Sequence, residues 1–375
     1  MRFCVLGDIM PGGVYTGSQI IKSKGLQNYI NNFDLRIATL ESAIGSYPNY
    51  NKEKCEYGGQ VCVWSHDSDL NKLKDLNINV VSLANNHTGD FGEEGLKHLL
   101  IKLDELGVSY IGAGENIEKA SKPFVYREKD TTYAFIAVCQ DSIDKLGYID
   151  YATDNSWGVY KYDESCLTHI KTLKKEYDYV FVIVHWGLEH RWLPEKEVVE
   201  FSKEMIDAGA DGIIGDHPHH IQPRTLYKGK FIYYSLGNFF FPEIYVNDQS
   251  NVFYPSEHEK SSLPTFNRFP IKRNFSMKYY WSYYGRLGMI ADISIENGKV
   301  CSEYKLSLLN NDTIHISHNI KIRIYLRLLE KIIKKEKNIP IVNKILAKIE
   351  YIYFYKIKSI FNKKYQFYQY IKTLE

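Results

Sequence analysis

Six short polar stretches, each placed where a strand-like run ends, constrain this chain more than any other feature. The runs before them are rich in β-branched and aromatic residues, as in residues 2–6 and 180–184. The polar stretches are Gly7-Asp8, Leu40-Glu41, Asn85-Asn86-His87, His185-Trp186-Gly187, residues 216–220 and residues 235–238. Because a sheet brings the carboxyl ends of its parallel strands to one edge, the pattern predicts a single polar site at that edge.

Strand and helix signals alternate from residue 1 to about residue 240. The clearest helix pattern is residues 93–106, which places four leucines on one face and ends at Gly107. Strand patterns flank it at residues 79–84 and 108–111. This βαβ alternation predicts an α/β fold with a mixed or parallel sheet, and 375 residues suffice for one large domain and an appendage.

The pattern changes after residue 241. Residues 242–284 are rich in Pro, Ser, Asn and Tyr and show little periodicity, so we interpret them as an insertion, with a lid as one interpretation. Residues 287–295 and 299–306 are strand-like and are separated by Glu-Asn-Gly. They predict a β-hairpin, because Asn-Gly is a favoured hairpin turn.

The net charge of +2 conceals an asymmetry. Residues 319–375 carry 14 Lys or Arg and 4 Asp or Glu, a local charge of +10, which leaves −8 for the rest of the chain. Phosphate contacts need clustered Lys and Arg, so the acidic main body excludes nucleic-acid binding there.

The chain starts directly with a strand pattern and has no run of about 18 apolar residues, so we expect a cytoplasmic protein.

The polar stretches contain the ligand types that a two-metal hydrolase needs, namely carboxylates between the cations and neutral imidazoles or amides around them. Asp8 and Glu41 end the first two strand patterns and are natural anionic ligands. Only Pro218 separates His217 from His219, so in an extended segment both imidazoles project to the same side. Together these residues predict a metal site.

Each residue alone also has an ordinary structural explanation. Asp8 is typical of a turn or a helix N-cap, Glu41 of a solvated strand end, and His185 of a core histidine. Asp90 fits a cap of the following helix, and residues 235–238 fit either a pocket floor or a plain strand exit. The co-occurrence of carboxylates with several histidines favours the metal site.

The motifs resemble those of the poly-gamma-glutamate capsule synthesis (CapA-like) family, which is similar in motif order to the calcineurin-like metallophosphoesterases. The matching motifs are Gly-Asp8-Ile-Met10, Leu-Glu41-Ser-Ala, Leu-Ala-Asn85-Asn86-His87-Thr-Gly-Asp90, His185-Trp-Gly-Leu-Glu189, Gly-Asp216-His217-Pro-His219 and Ser235-Leu-Gly237-Asn238. The resemblance covers residues 1–241 and 288–306. It implies an α/β fold of four layers, an α-β-β-α sandwich at residues 1–310, with a basic amphipathic helical extension at residues 319–375.

The resemblance also implies roles for individual residues. One divalent metal ion is expected to bind Asp8, Glu41 and His219. A second is expected to bind Glu41, Asn86, His185 and His217, with Glu41 as the bridge. His87 is expected to be the general acid. The implied substrate contacts are Asn85, Glu189, His190, Asp216 and Asn238. The implied cofactors are one or two ions of Mn, Zn, Fe or Mg.

Three positions depart from the related patterns. Met10 occupies the place where calcineurin-like enzymes usually have a His, so the first metal loses a ligand. Asp216 stands where the CapA-like family often has His, and His190 stands where Tyr is common. Met10 predicts one tight metal position beside a weak or vacant one. Glu189, His190 and Asp216 are expected to tune either substrate choice or the hydrogen bonds that surround the ligands.

The leading hypothesis is a metal-dependent phosphoesterase-like hydrolase in the biosynthesis of a bacterial capsular or cell-surface polymer, either poly-gamma-glutamate or a polysaccharide. Metal-activated water is expected to attack a phosphoester of a small molecule or polymer intermediate. The alternative is a non-catalytic accessory subunit of a membrane-bound polymer synthase or export complex. Divalent-metal content separates the two, since an accessory role requires no metal.

The basic tail has three interpretations. Residues 320–337 and 341–362 predict two helices parted by Pro340. The first interpretation is a helical pair packed on the body or on another subunit. The second is attachment to the anionic inner face of a membrane, or contact with a synthase complex, because basic amphipathic helices favour such an interface. Nucleic-acid binding ranks third.

Overall fold

The computed structural model describes most of the chain, namely residues 1–46, 61–140, 149–247, 251–266, 276–335, 339, 341, 342, 345 and 346. Its helices are α1 Lys24–Ile30, α2 Asn71–Asp75, α3 Gly92–Leu106, α4 Ile117–Ser121, α5 Glu164–Glu176, α6 Lys196–Ala208, α7 Glu257–Lys260 and α8 Ile320–Ile333. Short 3-10 helices lie at Gly13–Tyr15, Asp67–Leu70 and Tyr284–Arg286. The helix predicted at residues 93–106 is confirmed, one residue longer at its start.

The polar stretches of the sequence analysis lie at or near the ends of strands. In chain order they are β1 Arg2–Ile9, β2 Ile21–Lys22, β3 Leu35–Leu40, β4 Ala43–Ile44, β5 Trp64–Ser65, β6 Val80–Ser82, β7 Ser109–Ile111, β8 Ala113–Gly114, β9 Phe124–Glu128, β10 Thr131–Cys139, β11 Gly158–Val159, β12 Tyr179–His185, β13 Gly212–Asp216, β14 Arg224–Tyr227, β15 Lys230–Tyr233, β16 Asn238–Phe240, β17 Ile244–Val246, β18 Val252–Phe253, β19 Thr265–Phe266, β20 Met277–Tyr279, β21 Leu287–Glu296, β22 Lys299–Asn310 and β23 Thr313–Ser317.

The larger sheet has nine strands in the order β2-β23-β22-β21-β1-β3-β6-β7, with β16 also paired to β1. β1, β3, β6 and β7 run parallel to one another, while β21 is antiparallel to β1. β21 pairs only with the first half of β1, up to Val5. The carboxyl end of β1 pairs instead with β16, which places Asn238 beside Asp8.

The smaller sheet has six strands in the order β14-β15-β13-β12-β10-β9. Its four central strands, β15, β13, β12 and β10, are parallel. His185 ends β12 and is in register with Asp216, which ends β13. Both sheets therefore point the carboxyl ends of their parallel strands to one edge of the molecule, where the polar stretches were predicted to meet.

The two sheets pack face to face through alternate side chains. Phe3 of β1 makes edge-to-face contacts with Phe135 of β10 and Phe181 of β12, at ring-centroid distances of 5.1 and 4.9 Å. The intervening residues of β12, Val180 and Val182, face the opposite way into a second apolar cluster. This alternation is what a sheet buried on both faces requires.

Helices cover the two outer faces of the sheet pair. α3 buries four leucines in the cluster that contains the larger sheet. α5 and α6 bury apolar residues in the second cluster, against the outer face of the smaller sheet. The result is four layers, α-β-β-α, so the predicted fold class is confirmed.

The insertion at residues 242–284 contains regular structure that its sequence did not show. β17, β18, β19 and β20 form a small sheet of their own. Residues of this sheet join a third apolar cluster with Met10, Trp64 and Phe91. Each of these strands has only two or three residues, too few to produce a readable alternation.

The hairpin predicted after the insertion is confirmed as β21 and β22. Asn297 and Gly298 both have positive φ, as a two-residue primed turn requires. β23 then pairs with β22, so the larger sheet continues beyond residue 310, where the sequence placed the end of the main domain. The rest of the domain division stays a prediction.

α8 packs on the body through one face. Ile322 and Leu326 join the first apolar cluster, and Leu329 and Ile333 join the second, so the helix spans the edges of both cores. Most of the second predicted tail helix, at residues 341–362, lies outside the described residues. Within the described part of the chain, no helix is both long enough and apolar enough to cross a bilayer. The cytoplasmic location stays a prediction.

Candidate metal centre

Asp8 lies at the carboxyl end of β1 and is fully buried. Its backbone N–H donates to the Gly237 carbonyl oxygen at 3.0 Å. The preceding Gly7 permits this approach, because a Cβ at that position would lie only 1.8 Å from the Gly237 oxygen. Gly7, the glycine of the Gly-Asp motif, thus lets the chain at Gly237, just before β16, lie against the end of β1.

Glu41 directly follows β3 and is also fully buried. Its Oε1 lies 3.5 Å from His185 Nε2, 3.6 Å from His219 Nε2 and 4.0 Å from His87 Nε2. Three imidazoles, from the end of β12 and from two loops, therefore surround one carboxylate oxygen. Glu41 occupies the central position that the sequence analysis expected of a bridging ligand.

Four residues form what we call the imidazole half-site: Glu41, Asn86, His185 and His217. His185 Nε2 lies 2.7 Å from Asn86 Oδ1 and 3.0 Å from His217 Nδ1. One ligand atom each from Glu41, His185 and His217 falls within a mutual distance of 4.8 Å. Atoms that bind one cation at about 2.1 Å lie about 3 Å from one another, so this spacing suits a divalent metal.

Three residues form what we call the carboxylate half-site: Asp8, Glu41 and His219. His219 Nδ1 lies 3.5 Å from Asp8 Oδ2, and its Nε2 faces Glu41. Asn238 holds the ring, since its Nδ2 donates to the Gly285 carbonyl and its Oδ1 lies 2.8 Å from His219 Nδ1. With Nδ1 donating to Asn238, the Nε2 lone pair is left for a ligand.

His217 and His219 do not lie in an extended segment, so that part of the prediction is wrong. Their φ angles are +97° and +53°. Non-glycine residues rarely adopt positive φ, and such strain persists only where the surrounding structure enforces it. The twisted backbone sends His217 towards His185 and His219 towards Asp8, so the two histidines enter different half-sites.

Electrostatics distinguishes the two half-sites. Burial, together with the nearby His219 and His87, lowers the pKa of His217 to about 3. Burial also holds the pKa of His185 well below its ordinary value. Both imidazoles are therefore neutral near pH 7, which is the form that binds metal. Burial alone would lower the pKa of His219, but Glu41 and Asp8 outweigh it and raise that pKa to about 10.

The two buried carboxylates show whether the cluster suits divalent cations. None of the four carboxylate oxygens of Asp8 and Glu41 accepts a hydrogen bond from the described residues, and all four are buried. Burial raises the pKa of Glu41 well above its usual range. A buried carboxylate without partners is strongly destabilising unless a cation offsets its charge. The donor set and its unsatisfied oxygens therefore fit divalent metal ions.

His87 forms a pair with Asp90 beside the imidazole half-site. The Asp90 carboxylate oxygen Oδ2 lies 2.7 Å from His87 Nδ1 and accepts from the Val63 N–H at 2.7 Å. Asp90 does not cap the next helix, because α3 has no side-chain N-cap bond. The pairing leaves His87 Nε2 directed at Glu41. The sequence analysis missed this role, although the His-x-x-Asp spacing within one loop was visible.

Three of the five residues expected to contact substrate are buried and braced within the protein. Asn85 donates from Nδ2 to the Leu40 carbonyl and accepts from two backbone N–H groups of its own loop. Asp216 accepts from Thr39 Oγ1 at 2.6 Å. Burial and the charge of Asp8 raise the pKa of Asp216 well above its usual range. Asn238 is also buried, as are the expected metal ligands, and substrate contact by these three residues stays a prediction.

Glu189 and His190 lie at the rim. Their side chains are 25% and 27% exposed, and Glu189 Oε2 lies 3.6 Å from His190 Nε2. The Glu189 charge also acts on both Glu41 and His219. These two residues are placed where a bound molecule could meet them, and their role in substrate contact stays a prediction.

An aromatic wall closes the carboxylate half-site. Phe241 and Trp281 each place a ring 5.1 Å from the His219 ring. The Trp281 indole N–H donates to the Pro242 carbonyl. Met10 is fully buried in the same apolar cluster as both rings. Trp281 belongs to the insertion, and no periodicity in residues 242–284 indicated that it would reach the site.

The four-layer sandwich and the cluster of carboxylates and imidazoles at its strand ends place the chain in the metallophosphoesterase-like class of α/β folds. The family model described as bacterial capsule synthesis protein PGA_cap matches residues 2–243. The chain belongs to this family.

Curated relatives extend the match. The chain is 28% identical over 276 residues to the PGA biosynthesis protein CapA of Bacillus subtilis, covering 71% of this chain and 70% of that protein. It is 30% identical over 261 residues to the capsule biosynthesis protein CapA of Bacillus anthracis, covering 65% of this chain and 60% of that protein. The matches thus leave about a third of each relative unaligned.

Among solved structures, the NAD nucleotidase of Haemophilus influenzae aligns with a TM-score of 0.40 at 11% identity, covering 88% of this chain and 63% of that one. The sheets and layers of the chain itself, and not this alignment, define the fold.

Proposed function

We propose that the chain is a metal-dependent phosphoric ester hydrolase that acts in the biosynthesis of a bacterial capsular or cell-surface polymer. The observation that carries the proposal is the environment of Glu41. One buried carboxylate oxygen lies within 3.5 to 4.0 Å of three imidazoles. The Asp8 carboxylate adds further unsatisfied buried oxygens beside it. No ordinary structural role explains so many unpaired ligand atoms at one point.

The half-sites have complementary tasks in such a hydrolase. Divalent cations bound there supply Lewis acidity towards a phosphoryl oxygen and lower the pKa of a water molecule. Glu41 joins the two half-sites, and the neutral His185 and His217 fix one of them in place. Asn238 holds the His219 ring through Nδ1. Because these supports are already formed, little reorganisation is needed when a phosphoester binds.

His87 is the proposed proton donor to the leaving oxygen. Its Nδ1–H is directed at Asp90, so Nε2 faces the cluster and can carry the transferable proton. Asp90 acts as a positioning residue that fixes the tautomer and the ring orientation. The position of His87 supports an acid role rather than a ligand role, since His87 lies farther from Glu41 than His185 or His219 does.

The substrate class follows from the family and from the rim. The two Bacillus relatives are named for poly-gamma-glutamate and capsule biosynthesis. We therefore infer a phosphorylated small molecule or polymer intermediate of such a pathway. Glu189 and His190 are the half-exposed polar residues placed to contact its non-phosphate part.

A double substitution tests the proposal. Replacing His217 and His219 by Ala removes one imidazole from each half-site and should abolish both bound Mn²⁺ and hydrolysis of a phosphodiester such as bis-p-nitrophenyl phosphate. Circular dichroism should show that the fold is retained. The matched control replaces His258 and His318, two exposed histidines outside the cluster, and should keep metal and activity. Unaltered turnover in the His217/His219 variant contradicts the hydrolase proposal.

A second candidate function is a non-catalytic accessory subunit of a polymer synthase or export complex. Met10 favours it, because an apolar side chain in an apolar cluster stands where calcineurin-like enzymes usually have a histidine ligand. Elemental analysis of the purified chain distinguishes the candidates. A protein that retains no divalent cation and shows no turnover across phosphomonoesters and phosphodiesters is an accessory subunit.

A further inference from the structure

The described residues include nine exposed large hydrophobic side chains, and their distribution is uneven. Five of them are at the C-terminal end of the described chain: Ile320, Ile324, Leu328, Ile341 and Ile345. Single exposed apolar residues need no explanation, but a contiguous set marks an interaction surface. The concentration on α8 and on the described residues after it is the observation that requires a partner.

α8 carries two apolar stripes on opposite faces. Ile322 and Leu326 are on the buried face and belong to the core. Ile320, Ile324 and Leu328 recur every four residues on the other face and are 68%, 52% and 53% exposed. Residues four apart are neighbours on a helix surface, so these three side chains form one continuous strip. Packing on the body accounts for only one of the two stripes.

Cations flank the exposed stripe. Its exposed basic neighbours are Lys321, Arg327, Lys331, Lys334 and Lys335. Glu330 is the single acidic residue of α8. The whole of residues 319–375 carries 14 Lys or Arg against 4 Asp or Glu. Like charges repel, so this surface suits an anionic partner and not a second copy of the same surface.

We propose that the exposed face of α8 docks on an anionic lipid bilayer. The argument is the combination of charge and apolar area. A soluble polyanion would contact the lysines but would leave Ile324 and Leu328 in water. An anionic bilayer accepts both, because cations meet headgroups while an apolar stripe enters the boundary between headgroups and acyl chains. A helix of this kind lies on the membrane surface and does not span it.

Ring contacts link α8 to the candidate metal centre. Tyr325 of α8 places its ring 5.5 Å from that of Trp192, and Trp192 lies 4.8 Å from the ring of His220. His220 directly follows the ligand His219. Bilayer docking through α8 therefore holds the rim of the site near the membrane surface. The inference does not depend on the proposed hydrolase activity, because vesicle binding is measured without turnover.

The test measures binding of the full chain to vesicles by co-sedimentation. Phosphatidylcholine vesicles with added phosphatidylglycerol should bind the chain, and pure phosphatidylcholine vesicles should bind it far more weakly. Raising the salt concentration should release it, because exposed charges are screened. Replacing Lys321, Lys331 and Lys334 by Gln should lower the partition coefficient by about fivefold for each lysine. Equal binding to neutral and anionic vesicles overturns the proposal.

A variant of the apolar stripe separates lipid docking from simple charge attraction. Ile324→Asn with Leu328→Asn removes two exposed side chains without touching the buried face, and should lower vesicle binding at least about tenfold. The matched control is Ile101→Asn on α3, since Ile101 is 56% exposed and lies on another helix. It should bind vesicles like the unaltered chain. All variants should keep the melting temperature of the unaltered chain.

Two results overturn the proposal. Vesicle binding by the Ile324/Leu328 variant at the unaltered level shows that the apolar stripe does not enter lipid. The second result is a chain that does not bind vesicles but forms a dimer in sedimentation velocity. If the Ile324/Leu328 variant no longer forms that dimer, the face is a protein interface. Removing all of residues 319–375 is not a suitable test, because it would also expose the core that Ile322, Leu326, Leu329 and Ile333 cover.

Discussion

The imidazole half-site and the carboxylate half-site share Glu41 but differ in nearly every other respect. The first adds two neutral histidines and an amide oxygen, drawn from both sheets. The second adds one aspartate and one histidine, and is closed by aromatic rings and Met10. The first half-site would offer a cation four ligands, and the second would offer it three.

The protonation of the histidines adds to this difference. Burial lowers the pKa of His185 and His217, so their lone pairs are available at neutral pH. The charges of Glu41 and Asp8 raise the pKa of His219 to about 10, so a cation entering there displaces a proton. Unequal ligand number and unequal protonation both indicate one tight and one weak metal position.

Glu41→Gln should have the largest effect, because both half-sites lose their shared anion. We expect both cations to be lost and kcat/KM for a phosphodiester to fall at least about a thousandfold, since several kcal/mol of charge stabilisation disappear. The melting temperature of the metal-free protein should not fall, because the change removes a buried carboxylate whose oxygens accept no hydrogen bond from the described residues. Glu189→Gln at the rim is the control and should retain both cations. Retention of full metal content by Glu41→Gln contradicts a bridging position.

Single histidine substitutions should separate the half-sites. His217→Ala should weaken the tight cation by at least about a hundredfold, more than the loss of an outer partner usually causes. His219→Ala should keep the tight cation and lose the weak one. Isothermal titration with Mn²⁺ measures both. The reverse pattern, in which His219→Ala removes the tight cation, would exchange the two assignments.

Asp90→Asn should lower kcat about 10- to 100-fold while leaving metal content unchanged, because it disturbs the proton donor and neither half-site. His87→Gln should also retain metal. In the double variant the two losses should not add, since the residues act as one unit. Loss of metal in His87→Gln would instead make His87 a ligand.

Met10→His should have the smallest effect. An imidazole at this position can approach the carboxylate half-site, and we expect its affinity for Mn²⁺ to rise about tenfold, with the imidazole half-site unchanged. Met10→Leu keeps the apolar packing and should leave both affinities as they are. If Met10→His raises neither affinity, the lack of a further ligand is not what weakens metal binding in the carboxylate half-site.

The sequence indicated where the residues of the half-sites meet better than it indicated the contacts that support them. Asp8, Glu41 and His185 lie at or directly after the carboxyl ends of strands whose patterns are local and readable, and parallel strand ends must meet at one edge. The hairpin of β21 and β22 was also predictable from neighbouring residues, because Asn297 and Gly298 favour the turn that joins the two strands.

The features that could not be predicted from the sequence depend on contacts between residues far apart in the chain or on the fold of a loop. The pairing of Asn238 with Asp8 joins residues far apart in the chain, and only the close approach at Gly7 makes it. Asp90 was expected as a helix cap because that role needs only neighbouring residues, whereas its bond to His87 depends on the fold of the loop. Trp281 reaches His219 from the loop that follows β20, a strand too short to show a period.

The most direct test titrates the metal-free chain with Mn²⁺ while binding and phosphodiester hydrolysis are followed together. We expect two unequal binding steps, hydrolysis that appears only with bound cation, and loss of hydrolysis when a chelator removes it. Hydrolysis that is indifferent to the removal of cations, or a chain that binds no divalent cation at all, would contradict a metal centre built on Glu41.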